Sequence, residues 1–598
     1  MFRYALRRAF TQRQRGPNFV RAPFRAPTLP RSHRFIHDSS NDIPSIQGDI
    51  SFTSNDTIYA LSSGAGRAGI AVIRVSGPGC LDVYKGLCPA KPTPRPRYAG
   101  VRTLFEPEQA DNKANGNVID SEALVLYFPG PKTVTGEDVL ELHVHGGTAT
   151  VKAVLSAVRK TSPSGDVRYA EPGEFTKRAF INGRLDLAQV ESLGDTLAAE
   201  TEHQRRAAVR GTSGTLGATY DGWRETLLLA RGEIEALIDF SEDQHFDESP
   251  VELLTNVRKL VEEILDSIQL HKLGSQRSEL LRNGIRIALL GPPNAGKSSL
   301  MNQIMGREAS IVSSEAGTTR DIVEASLDIR GYLCAFADTA GIRTKTSNSS
   351  STQTDGVTAS SIGAIEQEGI RRARQKALDS DVIIVLASVE PTESGGEYRI
   401  SYDAETLRLA ANAQQCIVAV NKADVVNHES LKRLIQDFKS TALTAIGGMR
   451  DVEPLTISCK AAAGVAAGAG AAARLTPPTD KNDHQDRGNN HDVGGIHALT
   501  EKLAQSFSQL TSLPDDMQHL LGVTERQNQL LGECEQHLRD FMGEARKTDP
   551  MGGEPDVVLA AEHLRLAALP LAAITGRGGS GDVEEVLGVI FEKGKIEI

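Results

Sequence analysis

Residues Gly291-Pro-Pro-Asn-Ala-Gly-Lys-Ser298 fit the pattern G-x-x-x-x-G-K-[ST], and no other stretch constrains the fold of this chain as tightly. The pattern works only as a loop between a strand and a helix. Its glycines let the backbone wrap phosphate oxygens, and consecutive N–H groups at a helix N-terminus supply positive potential. The flanks comply: Ile285-Arg-Ile-Ala-Leu-Leu290 reads as a strand, and Leu300-Met-Asn-Gln-Ile-Met305 continues as a helix. In such a loop Lys297 reaches the β- and γ-phosphates of a nucleotide and the Ser298 hydroxyl ligates magnesium.

Further elements choose the base. Asp338-Thr-Ala-Gly341 follows the apolar run Leu333-Cys-Ala-Phe-Ala337; Asp338 can hold magnesium through water, and the Gly341 N–H can sense the γ-phosphate. Asn421-Lys-Ala-Asp424 follows Cys416-Ile-Val-Ala-Val420, and Asp424 can accept the guanine N1–H and 2-amino protons, a pair that adenine cannot offer. Ser458-Cys-Lys460 after Leu455-Thr-Ile457 fits a loop whose backbone N–H meets guanine O6. Gly317-Thr-Thr-Arg-Asp321 lies where a magnesium-binding switch loop belongs, with Thr319 as its ligand. Each tetrapeptide alone is weak, and all of them in order specify guanine. The GTP-binding set is therefore Asn294, Ala295, Gly296, Lys297, Ser298, Ser299, Thr318, Thr319, Asp338, Thr339, Ala340, Gly341, Asn421, Lys422, Asp424, Ser458, Cys459 and Lys460.

Composition bounds the rest. The six cysteines are scattered with no Cys-x-x-Cys pair, which suits a reducing compartment and offers neither a zinc cage nor a disulfide framework. No run of 18 apolar residues occurs, so no membrane span is expected. Residues 1–37 carry nine Arg and no Lys, Asp or Glu, the composition of a mitochondrial transit peptide; a basic arm that binds RNA directly is the alternative. Without those nine charges the net −11 becomes −20, so any RNA contact needs a local patch. Strand-like runs at 70–75, 123–128 and 139–144 precede a Leu/Ala/Glu/Arg-rich helical stretch at 185–280, and helical spacing returns after 514. Residues 344–364 (Ser/Thr-rich) and 461–495 (Ala/Gly, then Asp/Asn/His) read as flexible insertions.

The loop Pro293-Asn-Ala-Gly-Lys-Ser-Ser-Leu-Met-Asn302, with Ala316-Gly-Thr-Thr-Arg-Asp321, resembles the Era/MnmE branch of the Ras-like GTPases. Asp56–Gly77, Thr135–Gly147 and Ala170–Gln189 are similar to the N-terminal domain of the MnmE (TrmE) family, whose mitochondrial members modify tRNA uridines. The resemblance covers essentially all of the chain after residue 55. It implies a multidomain α/β + α architecture: an N-terminal α/β folate-binding-like domain, a discontinuous helical domain, and an inserted Ras-like P-loop α/β G domain. The bounds become 1–50 for the transit peptide, 51–175 for the dimerisation and formyl-tetrahydrofolate-binding domain, 176–282 for the first helical part, 283–510 for the G domain, and 511–598 for the second helical part.

Apolar Ile342 stands where Ras-like proteins place a water-orienting Gln, so the family's catalysis must differ. The resemblance implies a potassium ion held by Asn294 with Ser313, Glu315 and Thr318, magnesium on Ser298 and Thr319, and Glu366 orienting water beside the catalytic Lys297 and Thr319; Glu368 competes with Glu366 for the role. Folate contacts carry over to Arg74, Glu137 and Arg184, although Arg74 and Glu137 as strand-end residues making local ion pairs is the plainer reading of spacing alone. His143 and His145 face one side of a strand and read as packing or pocket-wall residues. The implied partners are tRNA, an FAD-dependent MnmG-like protein and a second copy of the chain, in the mitochondrial matrix, for 5-carboxymethylaminomethyl-type uridine at the wobble position. The cofactors are GTP, Mg2+, K+ and a 5-formyltetrahydrofolate-type folate. A ribosome-assembly GTPase of mitochondria would share the G motifs without needing 56–77 and 135–147. A folate enzyme that merely carries a GTPase is a third reading, and no nucleophile in 56–180 supports it. Family members end in Phe-Cys-Ile-Gly-Lys or a close variant, whereas this chain ends Phe591-Glu-Lys-Gly-Lys-Ile-Glu-Ile598, so a further exon encoding the family ending is expected.

Overall fold

A computed structural model describes residues 56–107, 117–162, 165–240, 250–311, 326–337, 375, 378–392, 397–464, 492, 494–546 and 556–576. The transit-like segment, the 344–364 insertion and the tail after 576 lie outside them.

The N-terminal part is one sheet with helices on it. Strands β1 (Thr57–Leu61), β2 (Ile70–Ser76), β3 (Gly100–Phe105), β4 (Val118–Phe128), β5 (Val139–His145) and β6 (Val167–Tyr169) lie in the order β3-β4-β5-β2-β1-β6. Alternation sets the faces. In β5, Leu140, Leu142 and Val144 are buried in a core with Val83 and Tyr84 of helix Cys80–Leu87 and Val154 of helix Thr148–Lys160. Glu141 and His143 point to the opposite face. There Phe175 of helix Glu174–Ile181 seals against Ile58, Ala60 and Ala170. That helix thus belongs to the N-terminal sheet, and the helical region proper opens at Leu187.

Helices Leu187–Ala198, Glu202–Gly211, Thr215–Phe240 and Pro250–Asn283 follow, and among the described residues Glu525–Ala545 and Val557–Thr575 join them after the G domain. Their starts are written locally. Asp186 with Gln189, Thr201 with Gln204, and Thr524 with Gln527 form capping boxes that satisfy the first free N–H groups. Leu216 and Ile234 of the early helices share one core with Leu538, Leu564 and Leu571 of the late ones.

Between them, β7 (Ile285–Leu290), β8 (Ala309–Ile311), β9 (Ser326–Ile329), β10 (Tyr332–Ala337), β11 (Val382–Pro391), β12 (Tyr398–Ser401), β13 (Gln415–Asn421) and β14 (Leu455–Thr456) form the second sheet. Its order is β14-β13-β11-β7-β10-β9-β8, with β12 pairing β11. Strands β10, β7, β11, β13 and β14 run parallel. The first eight residues of β11 are all buried, as a strand covered on both faces requires. One face packs Ile285, Ile287 and Ile457 into the helical core, and the other packs Ala288, Val385 and Val418 against Phe438. The first residues of the 461–495 segment are helical through 464, with Ala462 buried, and at its far edge the Gly494 carbonyl accepts from Ser458 N–H at 2.9 Å.

Candidate nucleotide and cofactor sites

The loop Gly291–Ser298 links β7 to helix Lys297–Arg307 at the carboxyl ends of the parallel strands. Its glycines are required by protein neighbours. Gly291 has φ 146°, and a Cβ there would sit 2.2 Å from the Leu386 carbonyl of β11. Gly296 has φ 99°, and a Cβ there would meet Asn421 Nδ2 at 2.2 Å. Asn294 sits in the left-handed region at φ 62°, which Asn tolerates better than most residues. Lys297 Nζ donates to the carbonyls of Gly291 and Pro292 at 2.8 and 2.9 Å, which holds the ammonium against the loop it serves. Ser298 and Ser299 are exposed on the first helical turn. A backbone cradle with exposed hydroxyls fits a magnesium-bound nucleotide phosphate.

Asn421 ties this loop to the base-binding loops. Its Nδ2 donates to Ala295 O at 2.8 Å, and its Oδ1 accepts from Cys459 N–H at 3.2 Å, with the side chain buried. Ser458 Oγ donates to Asp424 Oδ1 at 2.6 Å and accepts from Ala461 N–H at 3.0 Å, so one hydroxyl orients the exposed carboxylate and caps the following turn. Lys422, at φ 62°, pairs with Glu390 at the end of β11. The Lys422 ammonium, helped by a Ser388 hydroxyl at 2.9 Å, holds the Glu390 carboxyl below the usual carboxylate range. Burial pushes the Cys459 thiol up to about 11, so it is a packed apolar group and not a nucleophile. Lys460 is exposed. These groups meet without any single element carrying more than one part of the site.

The N-terminal candidates form a second constellation. Arg74 on β2 stands directly across from Glu141 on β5, with Nε and Nη2 within 3.1 and 3.0 Å of Glu141 Oε1, and its guanidinium lies 5.9 Å from the Phe175 ring. Glu137 accepts from Ser76 Oγ at 2.8 Å and pairs with Arg178 at 3.1 Å. Arg184 Nε donates to Thr133 O at 2.8 Å. Arg74 and Glu137 thus both make local ion pairs, and neither touches the other. The hub is Arg178, which also reaches Asp56 at 2.8 Å and Glu174 at 3.1 Å with only 7% of its side chain exposed. Burial pushes Glu174 upward, but hydrogen bonds from Arg168, the Glu171 N–H and Arg178 outweigh it and hold the carboxyl below its ordinary range. His143 Nε2 is enclosed without a hydrogen-bond partner, 3.5 Å from Glu141 Oε2, whereas His145 Nδ1 is 2.9 Å from Asp120 Oδ1. An enclosed nitrogen without a hydrogen bond, in loose contact with Glu141, is one a polar ligand with N–H and carbonyl groups would satisfy.

Ser313, Glu315, Thr318, Thr319, Asp338, Thr339, Ala340, Gly341 and Glu366 lie outside the described residues. Sequence reasoning missed Arg178 and Glu390. Glu174 and Arg178, four apart on one helix, were the available signal for the first; for Glu390 there was none, because its partner is 32 positions away.

Comparison with known proteins is consistent with this geometry. Residues 57–184 match the family described as the GTP-binding protein TrmE N-terminus, and residues 187–593 match the MnmE helical domain. The human mitochondrial 5-taurinomethyluridine-[tRNA] synthase subunit GTPB3 is 34% identical over 90% of this chain and 92% of its own length. The tRNA modification GTPase MnmE of Parvibaculum lavamentivorans is 36% identical over 90% of this chain and 98% of its own. The mitochondrial tRNA modification GTPase MSS1 of Saccharomyces cerevisiae is 32% identical over 90% and 92%, respectively.

Proposed function

Because this chain belongs to the MnmE (TrmE) family of tRNA modification GTPases, we propose that it is the GTP-hydrolysing half of a mitochondrial wobble-uridine modification enzyme. It acts in the matrix with an FAD-dependent MnmG-like partner and forms a 5-carboxymethylaminomethyl-type, or related aminomethyl, uridine in mitochondrial tRNAs. The observation that carries the reading is the Asn421 bridge, which assembles a phosphate loop and a guanine loop in a chain whose N-terminal sheet carries a separate ligand-competent cluster.

Two sites then have two tasks. In the first, Lys297 and the loop amides bind the phosphates, Asp424 reads the base, and Ser298 with Thr319 holds magnesium. Asn294, Ser313, Glu315 and Thr318 hold potassium, whose charge offsets what develops between the β- and γ-phosphates. Glu366 orients the attacking water. Hydrolysis drives closing and opening of paired G domains in a homodimer and not the carbon chemistry. In the second, Arg74, Glu137 and Arg184 hold a 5-formyltetrahydrofolate-type cofactor, which supplies a one-carbon unit when bound. An arginine can pair with its glutamate tail, and a carboxylate can accept pterin N–H groups.

The test is nucleoside mass spectrometry of mitochondrial tRNA from cells lacking the gene and from cells re-expressing this chain. A 5-aminomethyl-type wobble uridine should disappear and return. If no modified uridine changes, the assignment fails and a ribosome-assembly role takes its place.

A further inference from the structure

Outside both sites, two helices of the helical region bring together three metal-ligand side chains. His537 and Asp540 are three apart on Glu525–Ala545, so they share a face. His563 lies on Val557–Thr575, the neighbouring helix in the same core. One ligand atom from each lies within 4.8 Å of the other two, and all three residues are half-buried.

Two features separate this trio from a chance surface grouping. His563 Nδ1 is shielded from solvent and has no hydrogen-bond partner, a condition that costs free energy unless something occupies the site. Asp540 Oδ1 accepts from Gln536 Nε2 at 3.0 Å, the kind of outer contact that orients a ligating carboxylate.

We propose that His537, Asp540 and His563 bind a zinc ion that staples the two helices together. Two imidazoles and one carboxylate form a borderline-hard donor set that suits Zn2+, and three protein ligands leave the fourth tetrahedral position to water. Zinc bonds of about 2.0–2.1 Å place tetrahedral ligands roughly 3.4 Å apart. Closing from the 4.8 Å limit therefore needs side-chain adjustment of about an ångström, without backbone movement. The ion would add a second tie between two helices that share the apolar core and that Arg526 joins at one end through the Ala573 and Ile574 carbonyls. The role is structural: it fixes helix Val557–Thr575 on the domain and takes no part in GTP hydrolysis.

The experiment uses the full chain, stripped of metal and then supplied with GDP and excess magnesium, titrated with Zn2+ and separately with Co2+. The wild type should bind one equivalent of zinc, show the visible absorption of four-coordinate cobalt, and gain thermal stability on loading. His563→Ala and Asp540→Asn should each weaken binding by at least about 100-fold. His428→Ala, at an exposed residue of the G domain, should leave it unchanged. Circular dichroism checks that the variants fold, and Asp540→Asn carries the test if His563→Ala does not. Failure of the wild type to take up zinc, or uptake unaltered in both cluster variants, would overturn the proposal.

Discussion

Replacing Asn421 by alanine should uncouple the phosphate loop from the guanine loop, and the size of the loss can be worked from two hydrogen bonds. The amide serves Ala295 O at 2.8 Å and Cys459 N–H at 3.2 Å, main-chain groups of residues 0% and 7% exposed. A buried polar group left without a partner costs about 1–3 kcal/mol. The vacated amide volume admits one water, which recovers part of each bond, so a cost of about 1.5 kcal/mol per group is the reasonable end of that range. If the unbound loops relax to relieve that cost, GDP binding must restore it, and the sum, about 3 kcal/mol, then sets an upper bound of roughly 100-fold in affinity at 1.4 kcal/mol per decade. Equilibrium titration with a fluorescent GDP, alongside a thermal melt, reads it. Asn421→Asp separates the two bonds: it keeps an acceptor for Cys459 N–H but sets an anion against the Ala295 carbonyl, and should bind GDP no better than the alanine variant. A folded Asn421→Ala protein binding GDP within threefold of wild type would refute the coupling.

Arg178→Met leaves the carboxylates of Asp56, Glu137 and Glu174 facing one another, with Arg168 still pairing Asp56 and Glu174, and should destabilise the N-terminal sheet by about 3–5 kcal/mol. Hydrogen exchange in β1 and β5 measures this, and a loss below about 1 kcal/mol contradicts it. His271, buried and 2.9 Å from Tyr220 OH, has its pKa lowered by burial to about 4, with a smaller push from His519. The unfolded chain therefore binds the extra proton first, and stability falls as pH drops from 6.5 toward 4, by at most about 1.4 kcal/mol per unit. His271→Gln should show a shallower fall in urea midpoint between pH 7.5 and 5, and equal slopes would remove His271 as the cause. Glu366→Ala should slow hydrolysis by at least about 100-fold with GTP affinity retained, measured by single turnover; unchanged turnover removes it from the mechanism. Sodium in place of potassium should slow the same step while leaving GDP binding intact, and equal rates in the two salts would discard the Asn294 ion.

Of the nucleotide site, the phosphate loop, Asn421–Asp424 and Ser458–Lys460 were legible as short contiguous words placed after a strand, while Gly317–Asp321 and Asp338–Gly341 lie outside the described residues. Gly291 and Gly296 could be assigned to phosphate binding from the motif. Their second duty, allowing Leu386 O and Asn421 to approach, could not, since those neighbours come from other strands. Asn421 was identified as a binding residue, but its bond to Ala295 spans 126 positions and leaves no local trace. The N-terminal constellation was less legible. Arg74 and Glu137 were named, yet the residue that joins the cluster is Arg178, whose partner Asp56 is 122 positions away. Periodicity reports which face a side chain occupies, not which distant carboxylate it will meet. The helical region was legible as a domain interrupted by the G domain only through the family resemblance, and which helices pair within it left no local signal because packing decides it.

Helix Thr215–Phe240 is completed by Val557–Thr575, with Leu216 and Ile234 in one core with Leu564 and Leu571. More than 300 residues separate the two helices. At about 5–20 residues per second, the early helices leave the ribosome roughly 15–60 s before their partner exists. During that interval helix Pro250–Asn283, with Val257 and Ile264 in the same core, can cover part of the early helices, but the part that meets Leu564 and Leu571 stays open. That open apolar strip is the kind of surface a holding chaperone covers, and damage to helix Val557–Thr575 strands an already translated half.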